Sequence, residues 1–223
     1  AIDAALIADG VSGMELMQRA ATSAWDALCQ NMPDTGEVTV VGGGGNNGGD
    51  GYLLAVLAQE AGYRVRVWYA VDPALLKGDA DRACKRALDA GLELLPWSPD
   101  SACGGILVDA LLGTGMQGAV RRPFDEIIRW INHSGLPVLA LDIPSGVNAD
   151  TGAVLGEAVN ADVTVTFIAL KLGLFTGAGL DCCGRLVFAP LCSRGDPGVG
   201  FCATRLEREN LPALRPRPRS AHK

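Results

Sequence analysis

Apolar residues recur with two different periods along this 223-residue chain. Short apolar runs predict strands at 37–42, 63–70, 104–113, 136–146, 162–167 and 184–189. Apolar positions three or four residues apart predict helices at 50–62, 79–90 and 122–135, and two N-terminal helices over 3–30. Strands that alternate with helices indicate an α/β fold with a mostly parallel, doubly wound sheet.

The composition changes abruptly at the end of the chain, where LPALRPRPRSAHK mixes Pro and Arg without an apolar face. Such a segment is typical of a linker. The chain also begins without Met. We therefore expect one domain over 1–210 and a linker over 211–223, cut from a longer protein.

Charge, hydropathy and residue usage exclude several classes of protein. A net charge of −6 and a pI near 4.9 argue against nucleic-acid binding, which depends on basic residues that neutralise phosphates. No apolar run is long enough for a membrane span. Seven cysteines without zinc-type spacing indicate reduced thiols, and hence a cytoplasmic protein. The chain has two histidines, which argues against a Ser-His-Asp triad and against a metal site built from histidines.

The most unusual stretch is VVGGGGNNGGDGYLLA at 40–55, which follows the first predicted strand. Its glycines permit positive φ and let a ligand approach the backbone closely. Asn46, Asn47 and Asp50 supply polar contacts, and Asp50 is predicted to begin the next helix, whose N–H groups favour an anion or phosphate. The stretch is neither a GxGxxG fingerprint nor a Walker loop.

Three further predicted strands also end in polar residues. Asp109 ends the strand ILVD and precedes a second glycine-rich loop, while Asp142 and Ser145 follow the strand PVLALD. Ligands in open α/β sheets bind outside the carboxyl ends of the strands, so we expect these side chains to meet there. Lys171, after VTVTF, fits a surface lysine as well as a functional one.

The oxygen-bearing residues at these strand ends indicate a cation site of a particular kind. Asn47, Asp109 and Ser145 are hard ligands with no His or Cys nearby, which excludes a soft transition-metal site. Together they carry one formal charge. That charge suits a monovalent cation better than Ca²⁺.

Three motifs, GGGGNNGGDG, LALDIPSGVNADTG and TVTFIALKLG, together give the chain a family resemblance. It resembles the NAD(P)H-hydrate epimerase family, that of YjeF N-terminal domains, from LMQRAA to the linker. The resemblance implies a Rossmann-like three-layer α/β/α sandwich. It also implies a homodimer, a fused C-terminal ADP-dependent dehydratase, and a substrate that is NADH or NADPH hydrated on the nicotinamide ring, whose R and S epimers are interconverted.

The resemblance also implies roles for individual residues. The potassium ligands would be Asn47, Asp109 and Ser145. The substrate would contact Asn46, Asn47, Gly48, Gly49, Asp50, Gly113, Thr114, Gly115, Met116, Gln117, Gly118, Ala119 and Asp142.

The chemistry itself needs a proton shuttle. The hydrate is a hemiaminal, whose ring nitrogen can help expel the C6 hydroxyl or whose ring can open, and return of the oxygen to the other face inverts the centre. We expect Asp142 to be the catalytic acid/base, with Asp50 as the second choice, because a carboxyl group screened from water is suited to general catalysis.

Two other functions are compatible with an α/β fold of this kind. A non-catalytic scaffold that binds proteins or RNA would not need the polar strand ends. A nicotinamide-dependent oxidoreductase would need GxGxxG in the first loop, where this chain has a different sequence.

Overall fold

A computed structural model describes residues 10–116, 118–192 and 203–204. The described helices are α1 (Gly13–Asn31), α2 (Asn46–Glu60), α3 (Gly78–Asp89), α4 (Phe124–His133) and the single turn α5 (Gly179–Cys182). The strands are β1 (Glu37–Gly42), β2 (Arg64–Tyr69), β3 (Leu94–Pro96), β4 (Ile106–Ala110), β5 (Val138–Leu141), β6 (Val163–Phe167) and β7 (Arg185–Ala189).

The seven strands form one sheet in the order β3-β2-β1-β4-β5-β6-β7, and every neighbouring pair is parallel. The predicted α/β fold with a doubly wound parallel sheet is therefore confirmed. The chain leaves β1 toward β2 and later returns to the other side of β1 as β4. The carboxyl ends of β1 and β4 thus flank the crevice in which such sheets bind ligands.

Both faces of the central strands are covered, as in other parallel sheets. On one face, Val40, Val108 and Leu139 pack with residues of α1, α2 and α3. On the other face, Val41 and Leu107 pack with Ile127, Ile128 and Ile131 of α4. This arrangement is the expected Rossmann-like three-layer sandwich.

Several predicted boundaries differ from the structure. The predicted helix 50–62 begins four residues earlier, at Asn46. β3 was not predicted, because three residues that are partly or fully exposed give no apolar run. The first of the two predicted N-terminal helices, the predicted domain boundary between 210 and 211 and the predicted linker lie outside the described residues.

Helix α1 has a well-defined start. The Ser12 Oγ accepts a hydrogen bond from the Glu15 N–H at 3.1 Å, which caps the helix. Along α1, Leu16, Ala20 and Ala24 are buried. No helix within the described parts of the chain is both long and apolar enough to cross a membrane.

Removing this cap is expected to destabilise the protein. Ser12→Ala removes the side-chain acceptor of the Glu15 N–H, which keeps only the Ser12 carbonyl, and should lower the free energy of unfolding by about 1 kcal/mol, or Tm by about 2–4 °C. Thermal unfolding followed by circular dichroism measures the change. Thr22→Ala, on the exposed side of the same helix, is the control and should change stability by about 0.5 kcal/mol or less. Equal effects of the two substitutions would contradict the capping role.

Candidate active site

The ends of β4 and β5 meet around the carboxylate of Asp109, which is fully buried. Its Oδ2 accepts from the Ser145 N–H at 2.8 Å, and its Oδ1 accepts from the Ser145 hydroxyl at 2.6 Å and the Leu111 N–H at 3.2 Å. Residues 36 positions apart in sequence are thereby fixed together. The structure confirms the predicted proximity of these two strand ends.

Asn47 joins this group from the first turn of α2. Its Nδ2 donates to the Leu112 carbonyl at 3.2 Å, and the Leu112 N–H donates to the Ser145 hydroxyl at 2.9 Å. The backbone of Leu112 therefore links Asn47 to Ser145, a role that sequence reasoning missed because a backbone group leaves no side-chain signature.

The Asn47 Oδ1 atom is buried and has no hydrogen-bond partner among the described residues. A buried carbonyl oxygen without a partner is costly and calls for an explanation such as an ion. The nearby donor set, a carboxylate and a hydroxyl, is hard and singly charged. These residues fit a monovalent cation such as potassium. Within the described residues, no three His, Cys, Asp or Glu side chains form a metal cluster.

Burial also affects the protonation of Asp109. Loss of solvation raises the pKa of its carboxyl group to about 6, although the hydrogen bonds from Ser145 and Leu111 act in the opposite direction. A cation beside the carboxylate favours its charged form.

Asp142 lies directly after β5 in a left-handed conformation, with φ of 66°. Its backbone N–H donates to the Val165 carbonyl at 2.7 Å, which ties it to β6. Its Oδ1 forms an ion pair with the Lys171 ammonium group, and both side chains are mostly buried. Lys171 therefore lies beside Asp142 and is mostly buried, unlike a solvated surface lysine.

Gly113 marks where the strand-end groups converge. A Cβ added to Gly113 would lie 3.4 Å from the Asn47 Cβ and 3.9 Å from the Asp142 Oδ2. The start of α2, the end of β5 and the loop after β4 thus face one small region. Of the predicted substrate-contacting residues in this loop, Thr114, Gly115, Gly118 and Ala119 are exposed and Met116 is half-buried. Gln117 lies outside the described residues.

The glycine-rich stretch differs from the prediction in two respects. Asn46, Asn47, Gly48 and Gly49 form the first turn of α2, so Asp50 is not at the start of the helix. None of the glycines from Gly42 to Gly49 has positive φ. Asp50 is buried, with 8% of its surface exposed.

These glycines serve instead to bring parts of the protein close together. A Cβ on Gly43 would lie 1.8 Å from the Leu111 carbonyl oxygen, and one on Gly48 would lie 2.2 Å from the Gly43 carbonyl oxygen. A Cβ on Gly45 would meet nothing within 4 Å. At Gly43 and Gly48 the close approach is thus made by the backbone of the protein itself, while the approach of a ligand to this stretch stays a prediction.

The chain is similar to known proteins over most of its length. The family described as YjeF-related protein N-terminus matches residues 13–173. The chain is 43% identical to the bifunctional NAD(P)H-hydrate repair enzyme Nnr of Coxiella burnetii over 97% of this chain and 45% of that protein. It is 36% identical to the NAD(P)H-hydrate epimerase of Limosilactobacillus fermentum over 81% of this chain and 86% of that protein.

A solved structure supports the fold. The crystal structure of yeast ynu0 (YNL200c) matches with a TM-score of 0.65 and 22% identity, covering 80% of this chain and 79% of that one. The chain spans less than half the length of the bifunctional relatives from Coxiella burnetii and Escherichia coli. From the match over 13–173 and the identity to these relatives, we conclude that this chain belongs to the YjeF N-terminal domain family.

Proposed function

We propose that this chain is an epimerase that interconverts the R and S forms of hydrated NADH and NADPH at C6 of the nicotinamide ring. The observation that carries the proposal is the 36% identity to an NAD(P)H-hydrate epimerase over 86% of that protein's length. That relative is named as an epimerase and not as a bifunctional enzyme, and the match covers most of its length.

The geometry supports a substrate between two loops of the crevice. Asn46–Asp50 at the start of α2 would contact it from one side and Gly113–Ala119 from the other. The described residues of both segments lie at the β1–β4 switch point, where α/β sheets bind ligands. The start of α2 leaves backbone N–H groups available for a phosphate of the dinucleotide.

Asp142 is the proposed catalytic acid/base. Its Oδ2 lies 3.9 Å from the position that a Cβ on Gly113 would take, and Gly113 begins the second of these loops. A carboxylate at this point can move a proton to or from the C6 hydroxyl group. Asp50 stays the second choice, because it is mostly buried and already takes part in other contacts.

The proposed potassium ligands are Asn47, Asp109 and Ser145. The support is the buried Asn47 Oδ1, which has no hydrogen-bond partner among the described residues, and the fully buried Asp109, which is linked to Asn47 through Leu112 and Ser145. A bound potassium ion would supply a fixed positive charge that stabilises this corner of the crevice. The side chains would hold the start of α2 against the ends of β4 and β5.

Potassium is therefore expected to stabilise the folded protein. A cation that binds only the native state at ten times its Kd adds about 1.4 kcal/mol, which raises Tm by about 3–6 °C. Thermal unfolding in potassium chloride and in choline chloride measures the difference. Asn47→Leu should abolish it, while Asn46→Leu, an exposed neighbour, should retain it. Equal melting temperatures of the wild-type protein in the two salts would contradict the site.

The direct test of the function follows the two epimers of hydrated NADH by chromatography, with and without the protein, in potassium buffer. Rapid equilibration of R and S is expected. Equilibration no faster than in buffer, from protein shown to be folded, would contradict catalysis and favour the non-catalytic scaffold. Repeating the assay with hydrated NADPH shows which of the two substrates the protein prefers.

The wider setting follows from the relatives. The bifunctional proteins are longer than this chain, and we propose that residues 1–210 are the epimerase part of such a protein, followed by a linker and an ADP-dependent dehydratase. A homodimer and a cytoplasmic location also stay predictions. Size-exclusion chromatography with light scattering tests the dimer.

A further inference from the structure

The hydrogen bonds of Asp142 are distributed unequally between its two carboxylate oxygens. Oδ1 accepts from the Phe167 N–H at 3.3 Å and from the Lys171 ammonium group. Within the described residues, no group donates a hydrogen bond to Oδ2. One oxygen is therefore fixed by the protein, and the other is left for a ligand.

Lys171 is itself held in place. Its Nζ donates to the Phe167 carbonyl at 2.7 Å, so the ammonium group is attached both to the end of β6 and to Asp142. The side chains of Lys171 and Asp142 are 15% and 16% exposed. Partial burial strengthens the attraction between opposite charges relative to an exposed pair.

The backbone around the pair adopts an unusual conformation. Asp142 and Ile168 have φ of 66° and 65°, both in the left-handed region. Such a conformation is unfavourable for a β-branched residue such as Ile168. Residues with a strained backbone cluster at functional sites. The left-handed conformation allows the chain to turn immediately after β6 and to return Lys171 toward Phe167 and Asp142.

We propose that Lys171 is a positioning residue that holds Oδ1 of Asp142, so that Oδ2 faces the substrate and catalysis begins with proton removal. The proposal rests on the epimerase function above. A carboxylate paired with an ammonium group is a proton acceptor. Asp142 therefore starts as the base, which selects ring opening over acid-assisted loss of the C6 hydroxyl group.

The ring-opening route balances with one proton. Oδ2 of Asp142 takes the proton of the C6 hydroxyl group, the O–H electron pair forms the C6=O bond, and the bond between C6 and the ring nitrogen breaks. The nitrogen takes that electron pair and then the proton from Asp142. Reversal of these steps, with the nitrogen attacking the other face of the aldehyde, gives the other epimer, and no atom is gained or lost.

The first experiment tests the positioning role by substitution. Lys171→Met should lower kcat about 10- to 100-fold, because a misplaced catalytic group costs rate, while KM stays within about three-fold of wild type. Lys171→Gln can still donate to Phe167 or Asp142 and should be intermediate. Lys85→Met removes a matched ion pair, with Asp81, from an exposed surface and should leave the rate unchanged.

Other outcomes of these assays overturn the proposal. A raised KM with unchanged kcat would mean that Lys171 binds the substrate directly. Unchanged kinetics in Lys171→Gln, which is the substitute if Lys171→Met does not fold, would exclude a role for the charge. If the wild-type protein itself does not equilibrate the epimers, the proposed function fails. A crystal structure of the variant then tests the positioning alone, since Asp142 should turn away from its wild-type orientation.

The second experiment distinguishes the two routes by isotope. Epimerisation in water enriched in ¹⁸O should give product that keeps its original oxygen, because ring opening never releases it. Mass spectrometry of the separated epimers measures the label. Incorporation of one label for each epimerisation event, above that of the buffer reaction, would overturn the base-first role of Asp142, because exchange through a hydrated aldehyde is not tied to each turnover.

Discussion

Asp142→Asn is expected to slow epimerisation of hydrated NADH by about 10²- to 10⁴-fold, the usual contribution of a general acid/base. The amide keeps the size of the side chain but cannot accept the substrate proton as a carboxylate does. Lys171 and the Phe167 N–H can still contact the amide oxygen, so the fold should be retained. The rate is measured by chromatography of the R and S epimers at saturating substrate.

Two further substitutions make this prediction specific. Asp150→Asn makes the same change at an exposed residue of the same connection and should leave the rate unchanged. Asp50→Asn compares the second candidate. If Asp142→Asn keeps wild-type activity and Asp50→Asn loses it, the catalytic role belongs to Asp50.

The second large effect is expected for stability, at Gly43. In Gly43→Ala the new Cβ would lie 1.8 Å from the Leu111 carbonyl oxygen. Because that atom belongs to the backbone, β1 and the loop after β4 must separate. Overpacking typically costs about 1–3 kcal/mol. We expect the upper end of this range, and a Tm lower by about 6–12 °C.

Gly115→Ala is the control for this substitution. Gly115 has open space around its Cβ position and a negative φ, so the change should be neutral or slightly stabilising. Thermal unfolding of both variants in the same buffer gives the comparison. A Gly43→Ala protein as stable as wild type would mean that the loops can separate freely.

The strands could be predicted where both faces are buried, because such a strand is a continuous run of apolar residues. β1 and β6 are buried over nearly their whole length and read as apolar runs. The start of α2 could not be predicted, because Gly disfavours helices by its intrinsic propensity. Close packing explains why glycines occupy this turn. A Cβ on Gly49 would meet Met17 of α1, and one on Gly51 would meet Ala110 of β4.

The site could be predicted in outline for a similar reason. Parallel strands end at one edge of the sheet, so Asp109 and Asp142 were expected to be neighbours. The partner of Asp142 could not be predicted, since Lys171 lies 29 residues away. Its approach depends on a left-handed turn at Ile168, and no sequence preference indicates such a turn at a β-branched residue.

The early start of α2 affects how recognition at this loop responds to mutation. The first helical hydrogen bond within the turn joins the Gly49 N–H to the Gly45 carbonyl at 3.2 Å. The amides of Asn46, Asn47 and Gly48 come before it, where they have no partner within the helix. A phosphate bound there would be held by main-chain groups that every residue type shares. Substitution of the exposed Asn46 side chain should then leave the affinity for the phosphate unchanged. That affinity would depend on the backbone conformation of the turn.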